Sequence, residues 1–188
     1  MTADTPPPDK DIARVAARLD RPVVLVGLMG AGKSTVGRRL AHMLERDFVD
    51  ADEAIEDAAQ RSIAEIFDEF GESYFRDGER RVIARLMDEH GGVIATGGGA
   101  FVDDETRAVI LDKAIAVWID CDIDTLVERT SRRDTRPLLR DGDPKAILSD
   151  LLAKREQFYS QAQIRVRSDN GPHNDTVHAI IEAIDQWM

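Results

Sequence analysis

The stretch Gly27 to Ser34, GLMGAGKS, constrains the architecture of this chain most; it follows the apolar run Val23-Val24-Leu25-Val26 and leads into Thr35-Val36-Gly37-Arg38-Arg39-Leu40. It matches G-x-x-x-x-G-K-[ST], a turn whose bare backbone N–H groups point at phosphate oxygens. Glycine at 27, 30 and 32 permits that turn. Lys33 has the reach to meet β- and γ-phosphates as a point charge, and the Ser34 hydroxyl suits Mg²⁺. The helix that begins here adds its positive dipole end. The motif requires a strand before it and a helix after it, and the flanking pattern supplies both. A bound triphosphate is implied, but not a reaction, because kinases, GTPases and motor ATPases share the loop.

Beyond the loop the pattern alternates strand and helix. Strands are predicted at 23–26, 48–49, 93–96, 115–119 and, weakly, 164–166. Helices are predicted at 33–44, 51–60, 63–88 with a break near Gly71 and Ser73, 103–111, 123–130, 144–159 and 175–187. Such an order predicts an α/β fold, a three-layer doubly wound sheet of five parallel strands with helices on both faces. Ligands in such sheets bind beyond the carboxyl ends of the strands. Residues 23–188 read as one domain, and residues 1–22 as an N-terminal extension. Within the extension, Pro6-Pro7-Pro8 suggests an extended or disordered tail, and Ile12, Val15, Ala16 and Leu19 share one face of a short helix expected to stand outside the nucleotide fold.

The net charge of −11 argues against general affinity for nucleic acid or an anionic membrane, so anionic ligands must be held by local arginines. A single cysteine, Cys121, the absence of a long apolar run and an acidic start without a signal peptide point to a cytoplasmic protein, and a monomer is expected. The histidines at 42, 90, 173 and 178 lack metal-ligand spacing, so no zinc site is expected.

A triphosphate site needs a carboxylate near its metal, and two stretches offer one: Asp50 with Asp52 at the mouth of the second strand, and Asp120 at the end of the fourth. Spacing does not choose between them, although acids two apart suit a strand end where each faces a different ligand. They equally suit the capping of the helix that starts at Ala51. Gly97-Gly98-Gly99 after a buried strand reads either as close approach of backbone to a ligand or as a flexible turn. The arginines at 129, 132, 133, 136 and 140 read either as a flap that lays positive charge on a phosphate or as a solvated loop. Arg76 and Arg155 fall on predicted helices, where a guanidinium is able to grip a carboxylate bidentately.

Taken together, GLMGAGKSTVGRRLA at 27–41, FVDADEAIE at 48–56, SIAEIF at 62–67, GESYFRDGE at 71–79, TGGGA at 96–100, RPLL at 136–139 and KREQFY at 154–159 resemble shikimate kinase, a small P-loop kinase of the nucleoside-monophosphate-kinase type. The resemblance implies a P-loop fold with a lid at about 129–142. It also implies transfer of the γ-phosphoryl group of ATP to the 3-hydroxyl of shikimate in aromatic amino acid biosynthesis. On this resemblance Gly30, Ala31, Gly32, Lys33, Ser34 and Thr35 bind the ATP phosphates, Arg129 lies along the adenine, and Arg136 swings onto the phosphates. Ser34 and Asp50 hold Mg²⁺, Asp52 hydrogen-bonds the hydroxyl region of shikimate, Arg76 and Arg155 hold its carboxylate, and Gly98 offers its backbone. Lys33, Asp52 and Arg136 carry the catalysis, and Asp120 becomes a strand end. A kinase for gluconate or a nucleotide accounts for the loop but gives no reason for Asp52, Arg76 and Arg155 together. A GTPase normally carries N-K-x-D, which this chain lacks.

Overall fold

Val23–Val26 forms strand β1 and is buried at every position, as an unalternating apolar run must be when both faces of its sheet are covered. In the computed structural model, which describes residues 9–132, 139 and 142–188, four more strands flank it. They are Phe48–Asp50 (β2), Val93–Ala95 (β3), Ile115–Cys121 (β4) and Ile164–Ser168 (β5). All pairings are parallel, in the order β2-β3-β1-β4-β5. Eight α-helices among the described residues complete the layers: Asp9–Arg18 (α1), Lys33–Met43 (α2), Ala51–Ala59 (α3), Ile63–Glu89 (α4), Asp104–Lys113 (α5), Ile123–Ser131 (α6), Pro144–Tyr159 (α7) and His173–Trp187 (α8). The expected three-layer doubly wound architecture is present, with α2 and α8 packed together and onto the sheet, and α4 packed on α5, which meets β4.

Three strands outrun their sequence patterns, β2 by one residue and β4 and β5 by two. β4 continues through Cys121 because β5 pairs with it as far as Ser168, so Asp120 lies inside the strand rather than at its end. Its Oδ2 accepts from Arg165 Nε at 3.1 Å and Nη2 at 2.7 Å, and that guanidinium covers Trp118 at 4.4 Å from the ring centroid. The carboxylate is therefore committed to the sheet and is unavailable to a metal.

Contrary to expectation, α1 is docked on the nucleotide fold. Val15 is 0% exposed and belongs with Leu19 to the main core. Arg14 and Arg18 pair with Asp185 of α8, and Arg46 Nη2 donates to the carbonyls of Ala16 at 2.8 Å and Leu19 at 3.2 Å. The apolar face that made the segment legible as a helix is what has to be covered.

A smaller core lies near β2. Ile55, Ile66 and Phe75 tie α3 to α4, and a positive φ of 83° at Gly71 breaks the helical conformation within α4, in the region where a break is predicted.

Candidate functional site

The phosphate loop connects β1 to α2. Gly30 and Gly32 have φ of 83° and 90°, values an L side chain resists. A Cβ at Gly27 would stand 2.7 Å from the Ile119 carbonyl oxygen, so the loop lies hard against β4. Lys33 is buried, and its Nζ donates to the carbonyls of Gly27 at 2.7 Å and Leu28 at 2.8 Å. The ammonium thus sits inside the curve of the loop, where phosphate oxygens are expected. In the first turn of α2, Ser34 Oγ donates to Asp50 Oδ2 at 2.6 Å. The other Asp50 oxygen caps α3, accepting from the backbone of Asp52 at 3.0 Å and Glu53 at 3.4 Å. Both readings of Asp50 therefore coexist in one carboxylate: it caps a helix and it meets the serine. A hydroxyl against a carboxylate is an oxygen-donor set suited to a hard cation such as Mg²⁺. Among the described residues no group of three or more His, Cys, Asp or Glu is arranged to hold a metal.

The glycine triplet after β3 is a matter of space, since none of the three has a positive φ. Each glycine faces a different side chain. A Cβ at Gly97 would lie 2.8 Å from Asp52 Oδ1, and one at Gly98 would lie 3.4 Å from Arg155 Nη1. One at Gly99 would collide with the Arg76 guanidinium. Three bare residues in a row let a carboxylate and two guanidiniums converge on a single turn. The structure thus brings Asp52, Arg76, Gly98 and Arg155 together, within reach of Lys33, Ser34 and Asp50 at the carboxyl ends of the central strands.

The electrostatics of this cluster are set by burial. The Asp52 carboxyl is raised above its usual range, first by desolvation and then by Asp50, while Lys33 and Arg76 pull it back. Arg76 Nη1 donates to Glu79 Oε1 at 2.6 Å, and Glu79 is 1% exposed. Burial pushes the Glu79 carboxyl up against the opposing pull of Arg76. Sequence reasoning missed Glu79, although its spacing, three residues after Arg76 on one helical face, was a usable signal. It missed Tyr159 as well. That side chain is fully buried and its hydroxyl donates to the Gly98 carbonyl, which also accepts from Arg155 Nη1 at 3.1 Å.

On the other side of the phosphate loop, Arg129 of α6 donates through Nη1 to the Ala31 carbonyl at 3.2 Å and through Nη2 to the Asp169 carbonyl at 2.7 Å. It thereby ties the loop to the connection after β5. His173 stands beside it, its Cε1 3.4 Å from where a Cβ on Gly32 would be. Burial and the neighbouring Arg129 and Arg39 hold the His173 imidazolium below its ordinary range. Arg136, with most of the segment expected to act as a lid, falls outside the described residues. The result is a phosphate cradle with a cationic flank toward β4 and β5, and a turn toward β2 and β3 that offers one carboxylate and two guanidiniums. It is suited to a nucleotide on the first side and a small hydroxylated anion on the second.

A family model described as shikimate kinase matches residues 29–185. A shikimate kinase from Novosphingobium aromaticivorans is 57% identical over 182 residues, covering 95% of this chain and 94% of the relative. One from Caulobacter vibrioides is 53% identical over 176 residues, covering 94% and 86%. Among solved structures, the shikimate kinase from Acinetobacter baumannii in complex with shikimate superposes with a TM-score of 0.84 at 35% identity, covering 95% of this chain and 98% of that one. A gluconokinase from Sinorhizobium meliloti reaches a TM-score of 0.58 at 14% identity, covering 90% and 94%, and shares the fold alone.

Proposed function

The chain belongs to the shikimate kinase family, ATP-dependent enzymes that phosphorylate the 3-hydroxyl of shikimate in aromatic amino acid biosynthesis, and we propose that the residues around its phosphate loop divide that reaction as follows. The backbone of Gly30 to Thr35, Ala31 included, holds the ATP phosphates, with Lys33 on the transferring group. Arg129 lies along the adenine. To Arg136 we assign the transferring phosphate, on the resemblance of the stretch 136–139. A Mg²⁺ bound by Ser34 and supported by Asp50 would neutralise charge on the phosphates.

Acceptor binding falls to Arg76 and Arg155, which grip the shikimate carboxylate, while the Gly98 backbone approaches the ring. Asp52 accepts a hydrogen bond from the hydroxyl that is to be phosphorylated. As the new O–P bond forms, the bond from the γ-phosphorus to the bridging oxygen breaks and ADP leaves; the hydroxyl proton also has to leave, and burial makes Asp52 a stronger base for it than an exposed aspartate. Phosphoryl transfer asks chiefly for alignment and charge neutralisation, and those are what a rigid turn and fixed cations supply.

The observation that carries this division is the glycine triplet, which faces Asp52, Arg155 and Arg76 with successive residues. Two guanidiniums converging beside a single carboxylate favour an acceptor that itself carries a carboxylate. The net charge of −11 supports a protein that binds neither nucleic acid nor membrane, and we place it in the cytoplasm as a monomer. No helix among the described residues is long and apolar enough to cross a membrane. The test is ADP release measured over shikimate, gluconate and nucleoside monophosphates. Turnover is expected with shikimate alone; its absence there, or equal turnover with gluconate, overturns the reading.

A further inference from the structure

The three carbonyls of the glycine turn are held in different ways. That of Gly97 accepts from the Ala100 backbone at 3.3 Å and that of Gly99 from the Val102 backbone at 3.1 Å. The middle one, Gly98, is held only by side chains among these hydrogen bonds: Arg155 Nη1 at 3.1 Å and the Tyr159 hydroxyl. The two donors lie four residues apart on α7, one turn of helix, and so reach the same oxygen.

They are not equivalent. In the division of roles above, Arg155 also faces the acceptor carboxylate, so its bond to Gly98 competes with substrate. Tyr159 is 0% exposed, so it is walled off from a bound substrate. Its ring is wedged 5.9 Å from that of Trp118, centroid to centroid, and Trp118 in turn abuts Gly27, its Cδ1 3.4 Å from where a Cβ would stand. This packing fixes the aim of the phenol, and a phenylalanine would fill the space equally well. A buried hydroxyl is costly unless it is hydrogen-bonded, so the oxygen is there for its bond. Burial raises the Tyr159 phenol above its ordinary range against the opposing pull of Arg155.

We propose that Tyr159 is a positioning residue for the acceptor: its hydroxyl locks the Gly98 carbonyl, and with it the plane of the Gly98–Gly99 peptide, so that the turn keeps its shape when Arg155 turns to the substrate. Because a peptide is planar and trans, fixing the carbonyl fixes the Gly99 N–H on the opposite side. Without that lock, consecutive glycines are the most mobile backbone available. The inference rests on the acceptor site described above, and it concerns binding rather than the phosphate loop.

The test compares Tyr159→Phe with Arg155→Lys in the intact enzyme, measuring KM for shikimate, KM for ATP, kcat, thermal midpoint and exchange of the Val102 amide, which donates to the Gly99 carbonyl. Tyr159→Phe is expected to raise KM for shikimate roughly tenfold, the scale of one lost hydrogen bond. KM for ATP should be unchanged and kcat should fall less than KM rises. Exchange at Val102 should accelerate in the acceptor-free enzyme while β1 amides keep wild-type protection. A lower thermal midpoint with unchanged KM for shikimate and unchanged Val102 exchange would make Tyr159 a packing residue and overturn the proposal. If Arg155→Lys raises KM and Tyr159→Phe does not, this inference fails and the acceptor site stands. If neither variant moves it, both fail. Should Tyr159→Phe be too unstable for kinetics, Val102 exchange relative to β1 decides alone.

Discussion

The Asp52 carboxylate fills the space that a side chain at Gly97 would need, its Oδ1 lying 2.8 Å from the position of a Cβ there. The neighbouring Gly99 stands in the same relation to Arg76. A methyl group at either position therefore acts on one named functional group. Gly97→Ala is expected to push the Asp52 carboxylate aside and lower kcat by roughly a hundredfold, the scale of an ångström of misplacement. Gly99→Ala should instead displace the Arg76 guanidinium and raise KM for shikimate, with the smaller effect on kcat. Steady-state kinetics on the two variants check this; the same kinetic change in both would mean that the turn collapses as a unit.

Asp52 also links activity to stability. Its carboxyl is raised by burial, so the folded state binds a proton that the unfolded state has already released. Stability at this residue is lost as pH rises from the ordinary aspartate range through the raised value, and below both values the residue is neutral in either state. Asp52→Asn is thus expected to raise the thermal midpoint at neutral pH while turnover falls by orders of magnitude. That gain should shrink as pH falls below the ordinary aspartate range. Thermal melts of both proteins across pH 3 to 8 measure it, and an asparagine variant less stable at neutral pH would show that Lys33 and Arg76 outweigh the desolvation of Asp52.

Much of this arrangement was legible in the chain because its signals are local. The phosphate loop is a short string with a strand before it and a helix after it, and the βα alternation gives the sheet. Asp120 illustrates where that stops. In the sequence it closes an apolar strand as a metal-site aspartate would, and only the parallel partner β5, more than forty residues later, brings the Arg165 that claims it. The glycine triplet reads in the sequence either as close approach of backbone to a ligand or as a flexible turn; what the sequence does not show is that three side chains from three separate helices occupy the space. α1 was legible as a helix from its apolar face, but its docking depends on Arg46 and Asp185, which no local pattern connects to it.

Glu79 gives Arg76 a fixed anchor. The carboxylate is 1% exposed, and its partner's other anionic neighbour, Glu72, is exposed and 3.6 Å away. Glu79→Ala is expected to raise KM for shikimate by an order of magnitude or more, because the guanidinium loses the bond that orients its fork. Some stability should go as well. Glu79→Gln keeps an acceptor at that site and should recover most of the binding. Isothermal titration with shikimate tests the pair; equal affinity for both variants and wild type would remove Glu79 from the acceptor site.

Asp50 performs two tasks that substitution separates. One oxygen caps α3 and the other accepts from Ser34. Asparagine is as good an N-cap as aspartate, whereas alanine forfeits the cap at about 1 kcal/mol. Asp50→Asn should therefore unfold like wild type, and Asp50→Ala should lose about 1 kcal/mol. For the cation the ranking differs, because both variants remove the charge that makes this oxygen set attractive to Mg²⁺. Both are expected to need severalfold more Mg²⁺ for half-maximal turnover, and excess EDTA should abolish turnover in all three proteins. Denaturant melts read the cap, and Mg²⁺ titrations of initial rate read the metal. If Asp50→Asn matched wild type in both, Asp50 would be a helix cap only, and the carboxylate that supports the metal would have to be sought elsewhere around the loop.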